Sequence, residues 1–321
     1  MAKVPEKRYN SAGGIKADLI HCQVQWESDK QIKLFTLGQH DIQEHLFVSQ
    51  KLYGREEQVN ILMDTFEHVC HGHTELVLIS GYSGIGKTSL IKEIAKPVVY
   101  QRGYFLSGKY DQLQRSIPYS AIIEAFSNFI SYCMTESEER LKELRDILLR
   151  ALGSNGQVII NLIPNLELII GQQPPVPELP PTEAKNRLMV TFEYFVRALA
   201  RPDHPLVLFL DDLQWIDNAS LQLFNLLLSS QELHYFLLMG AYRDNEVTMN
   251  HPLIVLQQHF KKAGKSFSHL VLQPLKKKDI ETLIKDSLFS SAQKEIPDLA
   301  DLILEKTQGN PFFINEFLKR P

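Results

Sequence analysis

The sequence predicts an α/β domain built on a central parallel sheet, followed by a small helical domain. Three observations carry this. Apolar runs of strand length recur at residues 75–80, 205–212 and 235–242 without polar alternation, as strands buried on both faces require. Segments with apolar residues at helical spacing lie between them. From Asp279 onward the periodicity is helical alone.

The first apolar run leads into Gly81-Tyr82-Ser83-Gly84-Ile85-Gly86-Lys87-Thr88, which satisfies G-x-x-x-x-G-K-[ST]. A helical stretch from Ser89 follows, with Leu90, Ile91, Ile94 and Ala95 on one side, and Pro97 is expected to end it. Strand, glycine loop and helix are the context a phosphate loop needs. Several backbone N–H groups must converge on one anion, and glycine lets the chain bend and approach closely enough. The helix directs its positive dipole end at the same point. Lys87 supplies a mobile charge for the β and γ phosphates, and the Thr88 hydroxyl a ligand for Mg²⁺. The expected fold is therefore a three-layer P-loop NTPase. Two rival motifs fail. A nucleophile elbow lacks its second glycine at Ile85, and a dinucleotide fingerprint meets Ser89 where it needs glycine.

The 321 residues suffice for one large domain and a smaller companion, and a 44% apolar content supports a sizeable core. With 34 basic and 38 acidic residues the net charge is −4. A nucleic-acid partner is therefore not expected without a local basic patch. Cys22, Cys70 and Cys133 offer no disulfide framework and suit a reducing compartment. Neither a signal peptide nor an apolar run of membrane-spanning length is present in the sequence, so a cytoplasmic protein without a membrane partner is expected.

Residues 1–50 read as a tail or linker, with a short helix within residues 11–22 and a short strand within residues 33–38. Residues 55–69 form a helix on Val59, Leu62, Met63, Phe66 and Val69. His68, Cys70, His71 and His73 then crowd together. Their spacing matches no familiar zinc template, and a solvated loop is the favoured reading. A second strand is expected at residues 103–107 and a polar crossover at 108–118. Helices follow on Ile122, Ile123, Phe126, Phe129 and Ile130, and over residues 137–152, ended by Gly153. The proline-rich residues 171–181 read as an extended surface loop rather than an SH3 ligand. Thr182 is expected to cap the next helix.

The run at 205–212 ends in Asp211 and Asp212. Ligands of a parallel α/β sheet lie beyond the carboxyl ends of its strands, which places this pair beside the phosphate loop. One carboxylate would hold Mg²⁺ and the next would polarise an attacking water. The strand at 235–242 ends in Arg243. It is read either as a sensor of the γ-phosphate or as a surface arginine paired with Asp244 or Glu246. A last strand is expected at residues 269–273.

Leu52-Tyr53-Gly54-Arg55-Glu56, the phosphate loop, Leu208 through Asp217, and Gly240 through Val247 together resemble the signal-transduction ATPases with numerous domains. These are a branch of the AAA-related ATPases. Gly309-Asn310-Pro311-Phe312 is similar to the G-x-P motif of that family's helical lid. The resemblance covers residues 50–321. It implies ATP or ADP with Mg²⁺ as cofactors. Residues 81–89, ending at Ser89, would be the Walker A loop, Asp211 the Walker B magnesium ligand and Asp212 the water-polarising acid. Arg243 would be the sensor. Tyr53, Gly54 and Arg55 would border the adenine, and Pro311 would contact the nucleotide from the lid.

The crossover resembles the ATPase region of large bacterial proteins that carry a Ser/Thr kinase, this ATPase, a sensor and often a histidine kinase. Residues 1–19 resemble the end of such a kinase domain, although no kinase catalytic motif occurs. The implied domains are a tail at 1–50, an ATPase at 51–273 and a lid at 274–321 that continues in a longer parent chain. The implied partners are the kinase or sensor domains of that parent, with nucleotide-dependent self-association as a further possibility. Asp212 replaces the glutamate of many relatives, and its shorter reach implies slow hydrolysis. The favoured expectation is a slow ATP-driven switch. The alternative is a nucleotide-binding scaffold that does not hydrolyse.

Overall fold

The computed structural model describes residue 9 and residues 12–38, 51–114, 117–262, 267–287 and 295–319. The chain divides into two compact units, one of residues 55–273 and one of residues 1–54 with 274–321.

The larger unit holds a five-stranded sheet. Its strands are β1 (Thr74–Ser80), β2 (Tyr104–Lys109), β3 (Leu206–Asp211), β4 (Phe236–Tyr242) and β5 (Ser268–Val271), in the order β2-β3-β4-β1-β5. Every neighbouring pair is parallel, with Leu76 opposite Leu238 and Leu208 opposite the same residue. Successive side chains of a strand point to opposite faces, so an unbroken apolar strand needs a helical layer on each side. Leu76 and Leu78 of β1 join the main core. Val77 and Ile79, fully buried, face the other way.

That second face is covered by α2 (Glu56–Cys70) and α3 (Lys87–Tyr100), which contact β1, β2 and β4. The main core lies under α4 (Ser120–Cys133), α5 (Glu138–Leu152), α6 (Gly156–Leu162), α7 (Glu167–Ile170), α8 (Pro181–Leu199) and α9 (Asn218–Ser229). A helix α10 (Pro252–Lys262) precedes β5. The centre of the core is aromatic. Phe126, Phe192 and Phe195 are buried, with ring centroids 5.2 to 5.9 Å apart.

Several sequence expectations need correction. Pro97 does not end α3, which continues to Tyr100. The apolar face of Leu90, Ile91 and Ile94 extends to buried Val98, and that burial offsets the one backbone hydrogen bond a proline removes. Thr182 does not cap α8. The helix begins at Pro181, whose missing N–H is no loss at a first helical position. The polar knot makes separate contacts. His71 and His73 place Nδ1 2.7 and 3.0 Å from the carbonyls of Glu67 and His68, and the Cys70 thiol donates to Gln101 Oε1 at 3.0 Å. Among the described residues no group of three or more His, Cys, Asp or Glu stands together as a metal site would.

In the smaller unit, α1 (Ala12–Asp29) is longer than the short helix expected. Residues 33–36 have no regular secondary structure and form no strand. Side chains of α1 take up this segment's backbone instead: Gln25 Oε1 accepts from Lys33 N, and Asp18 Oδ2 from Gly38 N, each at 2.7 Å. The helices α11 (Lys277–Ser287), α12 (Ile296–Thr307) and α13 (Pro311–Lys319) share a core of Ile280, Ile284, Ala300, Ile303 and Ile314, joined by Tyr53. Residues 1–8, 39–50 and Leu288, on which parts of the tail, crossover and lid readings fall, lie outside the described residues, as do Arg115 and Ser116. No helix among the described residues is long and apolar enough to cross a membrane.

The aromatic centre gives a stability test. Phe192→Ala leaves a ring-sized cavity and is expected to cost about 3–5 kcal/mol, read as a lower urea midpoint, whereas Phe192→Leu should cost clearly less.

Candidate functional site

The site forms where β1, β3 and β4 end. Gly81 leaves β1 with φ +152°, and Gly84 and Gly86 follow at φ +77° and +99°. A Cβ on Gly86 would meet nothing within 4 Å, so glycine is required there by its backbone conformation and not by crowding. Gly86 stands directly before α3, whose first N–H groups have no partner within the helix and open onto the loop. Arg55, 5% exposed, braces the loop from behind. Its Nη2 donates to the carbonyls of Ile85 at 3.2 Å and Gln273 at 2.7 Å. Ile85 is buried, while Tyr82, Ser83, Gly84, Thr88 and Ser89 are exposed.

Lys87 curls back on the loop. Its Nζ donates to the carbonyls of Gly81 at 2.7 Å and Tyr82 at 3.0 Å. Burial pulls its pKa below the usual lysine range, against the opposing pull of the Asp211 carboxylate. Thr88 Oγ1 donates to Asp211 Oδ2 at 3.3 Å. Burial pushes the Asp211 carboxyl up, and the Asp212 N–H, donating to Asp211 Oδ1 at 2.8 Å, works against that shift.

Asp212 is buried and lies in the left-handed region at φ +55°, an uncommon conformation for an aspartate that turns the chain sharply off β3. Three side chains hold it. Gln214 Nε2 donates to Oδ1 at 2.9 Å, Lys109 Nζ lies 3.2 Å from Oδ2, and Arg243 Nε lies 3.7 Å from Oδ1. Arg243 also pairs with Glu246 at 2.7 Å, the main cause of its raised pKa. Of the two readings of Arg243, the ion pair with Glu246 is the one observed, and the same side chain also approaches Asp212.

A metal-bound nucleotide fits these residues by two observations. Thr88 and Asp211 bring hard oxygen donors to one point, the donor type Mg²⁺ takes. The open space at Gly86 leaves room for close approach to backbone N–H groups.

The family described as AAA ATPase domain matches residues 51–239. The chain belongs to that family. It is 30% identical to Hybrid signal transduction histidine kinase G of Dictyostelium discoideum, over 99% of this chain and 12% of that protein. It is 22% identical to Histidine protein kinase 1 of Candida albicans, over 56% of this chain and 8% of that protein. The chain thus spans a small part of the length of these relatives. Among solved structures, Drosophila ORC bound to DNA superposes with a TM-score of 0.50 at 14% identity, covering 95% of this chain and 67% of that one. That likeness shows the shared fold.

In this AAA ATPase domain, sequence reasoning located the loop, both carboxylates and Arg243, and the structure brings these together. Arg55 joins them through the loop backbone. Tyr53, Gly54 and Pro311 belong to the smaller unit, where the Tyr53 hydroxyl donates to Asp286 at 3.0 Å and Pro311 opens α13. Lys109 and Gln214 were missed. Lys109 ends β2 on the carboxyl side of the sheet, where ligands gather, and that position was the available signal. Gln214 gave none.

Gln214 is 1% exposed and acts through both ends of its amide. Nε2 holds Asp212, and Oε1 accepts from Arg243 N at 3.2 Å. It thereby locks the tip of β3 to the tip of β4. Gln214→Leu keeps the volume and removes both bonds. It is expected to lower ATP turnover about tenfold, the scale of losing about one buried hydrogen bond to a charged group, with nucleotide affinity unchanged. Equal turnover would show that Gln214 does not position Asp212.

Proposed function

We propose that this AAA ATPase domain is a slow, nucleotide-dependent switch within a larger signalling protein. The observation that carries the reading is the state of Asp212. Gln214 orients Asp212, while the cations Lys109 and Arg243 approach its two oxygens, so the oxygens that would have to polarise water are shared with cations. Such a site favours long-lived nucleotide states over rapid turnover. The relatives named as histidine kinases, far longer than this chain, support placement among kinase or sensor domains.

The roles follow from chemistry. The backbone of residues 81–88 and the amine of Lys87 bind phosphate oxygens. Thr88 and Asp211 would hold Mg²⁺, which would neutralise charge on the phosphates. Asp212 orients and deprotonates water as a general base. Arg243 reports on the terminal phosphate by exchanging its carboxylate partners for it. Arg55 keeps the loop in register, and Pro311 on α13 is assigned to the lid. The difference between nucleotide states must come from contacts that only one state makes, and those of Lys87 and Arg243 are of that kind. We assign the readout to domains of the same parent chain or to self-association. A scaffold without hydrolysis is the second reading, favoured by the same engagement of Asp212.

Nucleotide released from freshly purified protein and steady-state phosphate production together test this. Wild type is expected to carry bound nucleotide and Lys87→Ala none. Asp212→Asn should retain it and turn over on the order of a hundredfold more slowly. Wild-type turnover no faster than that of Lys87→Ala, with nucleotide bound, would establish the scaffold.

Chelation tests the metal assignment. EDTA is expected to weaken ATP binding to the wild type, and Thr88→Ala and Asp211→Asn should each shrink the difference between titrations with and without Mg²⁺. An unchanged difference in both variants would remove these two residues from the metal site.

A further inference from the structure

A cavity of about 520 Å³ opens at the free edge of the sheet, and none of the phosphate-loop residues lines it. Its size falls within the roughly 300–1,000 Å³ of small-molecule sites. β2 is an edge strand, so one side of its backbone has no neighbouring strand. The cavity occupies that side, walled by the end of α3, by α4 and by the start of α5.

The wall is apolar. Val99, Phe105, Leu106 and Phe129 line it, and Tyr104 stacks on His204 with centroids 4.8 Å apart at 8°. The Cys133 thiol joins this wall. Burial pushes its pKa up to about 12, so it stays protonated and acts as an apolar surface.

The open edge of β2 offers donors beside its carbonyl acceptors. Tyr104 N and Tyr110 N donate toward β3, to Pro205 at 2.8 Å and Asp211 at 3.1 Å. The alternation of a parallel ladder then turns the N–H groups of Phe105, Ser107 and Lys109 to the free edge. At Lys109 that outer N–H already donates to a carboxylate, Glu124 Oε2, at 3.0 Å. Those of Phe105 and Ser107, residues that line the cavity, present the same chemistry. Arg201, half-buried, also lines it. The carboxylates of Glu143 and Asp203 stand 3.7 and 3.4 Å from its guanidinium. Glu136 and Glu143 on the same lining limit the negative charge a guest can carry.

We propose that this cavity is a second ligand site, taking a compact organic monoanion. Its apolar, flat body lies against Tyr104, Leu106 and Phe129, and its single carboxylate is met by Arg201 and the outer N–H groups of β2. A polyphosphate is disfavoured by Glu136 and Glu143, and a cation by Arg102, Arg140 and Arg201, which outnumber those acids on the lining.

Calorimetric titration of the whole chain with 2-naphthoate tests this. Saturable binding at one site is expected, with a Kd of about 1 mM or tighter for a body of this size. Arg201→Gln should weaken it about tenfold. Asn128→Trp, which fills the cavity from an exposed position on α4, should abolish it while circular dichroism and Tm stay unchanged. 2-Naphthylmethylammonium, the same body with opposite charge, should bind at least about tenfold more weakly. Lys87→Ala should bind 2-naphthoate as the wild type does, which separates this site from the nucleotide site. Absence of saturable binding, equal affinity for the ammonium probe, or affinity unchanged in both Asn128→Trp and Arg201→Gln would overturn the proposal.

Discussion

Two adjacent carboxylates at the tip of a buried strand are the constraint on which the larger unit depends. Asp212 is buried and Asp211 half-buried beside it, and the neighbouring Asp212 charge adds to the cost of ionising Asp211. Asp211 responds with a raised pKa, caused first by burial. The pair is tolerable because cations arrive from three other places in the chain: Lys87 after β1, Lys109 at the end of β2 and Arg243 after β4. No local segment of sequence could supply all three. The parallel sheet can, because every strand in it ends on the same side.

The strand order follows the same logic. β4 lies between β1, which carries the phosphate loop, and β3, which carries the acids. That insertion leaves a gap one strand wide between loop and acids, and Arg243 emerges into it. Close packing then fixes the separation. Gly240 in β4 lies under Leu213 and Leu78, where any side chain would collide. The strand that ends before Arg243 is thus pinned between the elements that carry the loop and the acids.

Much of this was legible in sequence, and the reasons differ from residue to residue. The loop was legible because phosphate binding needs backbone conformations that only glycine adopts easily, and Gly86 at φ +99° is such a position. The strands were legible because burial on both faces leaves no polar alternation. Pro97 misled because a local rule met a longer-range burial: Val98 is fully enclosed, and the helix continues to bury it. Residues 33–38 misled because an apolar run becomes a strand only beside another strand, whereas here Asp18 and Gln25 take the backbone hydrogen bonds. Lys109 and Gln214 were illegible for a further reason. Their roles are set by pairing across the sheet, at sequence distances that no motif spans.

The cations also set the size of any switching energy. Lys87 already makes two hydrogen bonds to loop carbonyls, and Arg243 already holds Glu246 and approaches Asp212. Whatever these groups gain from phosphate oxygens is therefore net of contacts they give up. Each contact given up offsets part of the gain from phosphate, and coupling between two sites is on the order of 1–3 kcal/mol. A difference of that size is too small to drive mechanical work but large enough to bias two states of a domain several-fold or more. Withdrawing Arg243 from Asp212 would also remove one of the two cations on that acid, so in the proposed switch the contact that senses the nucleotide also tunes its hydrolysis. In that proposal, slow turnover and state sensing are two consequences of a single shared carboxylate.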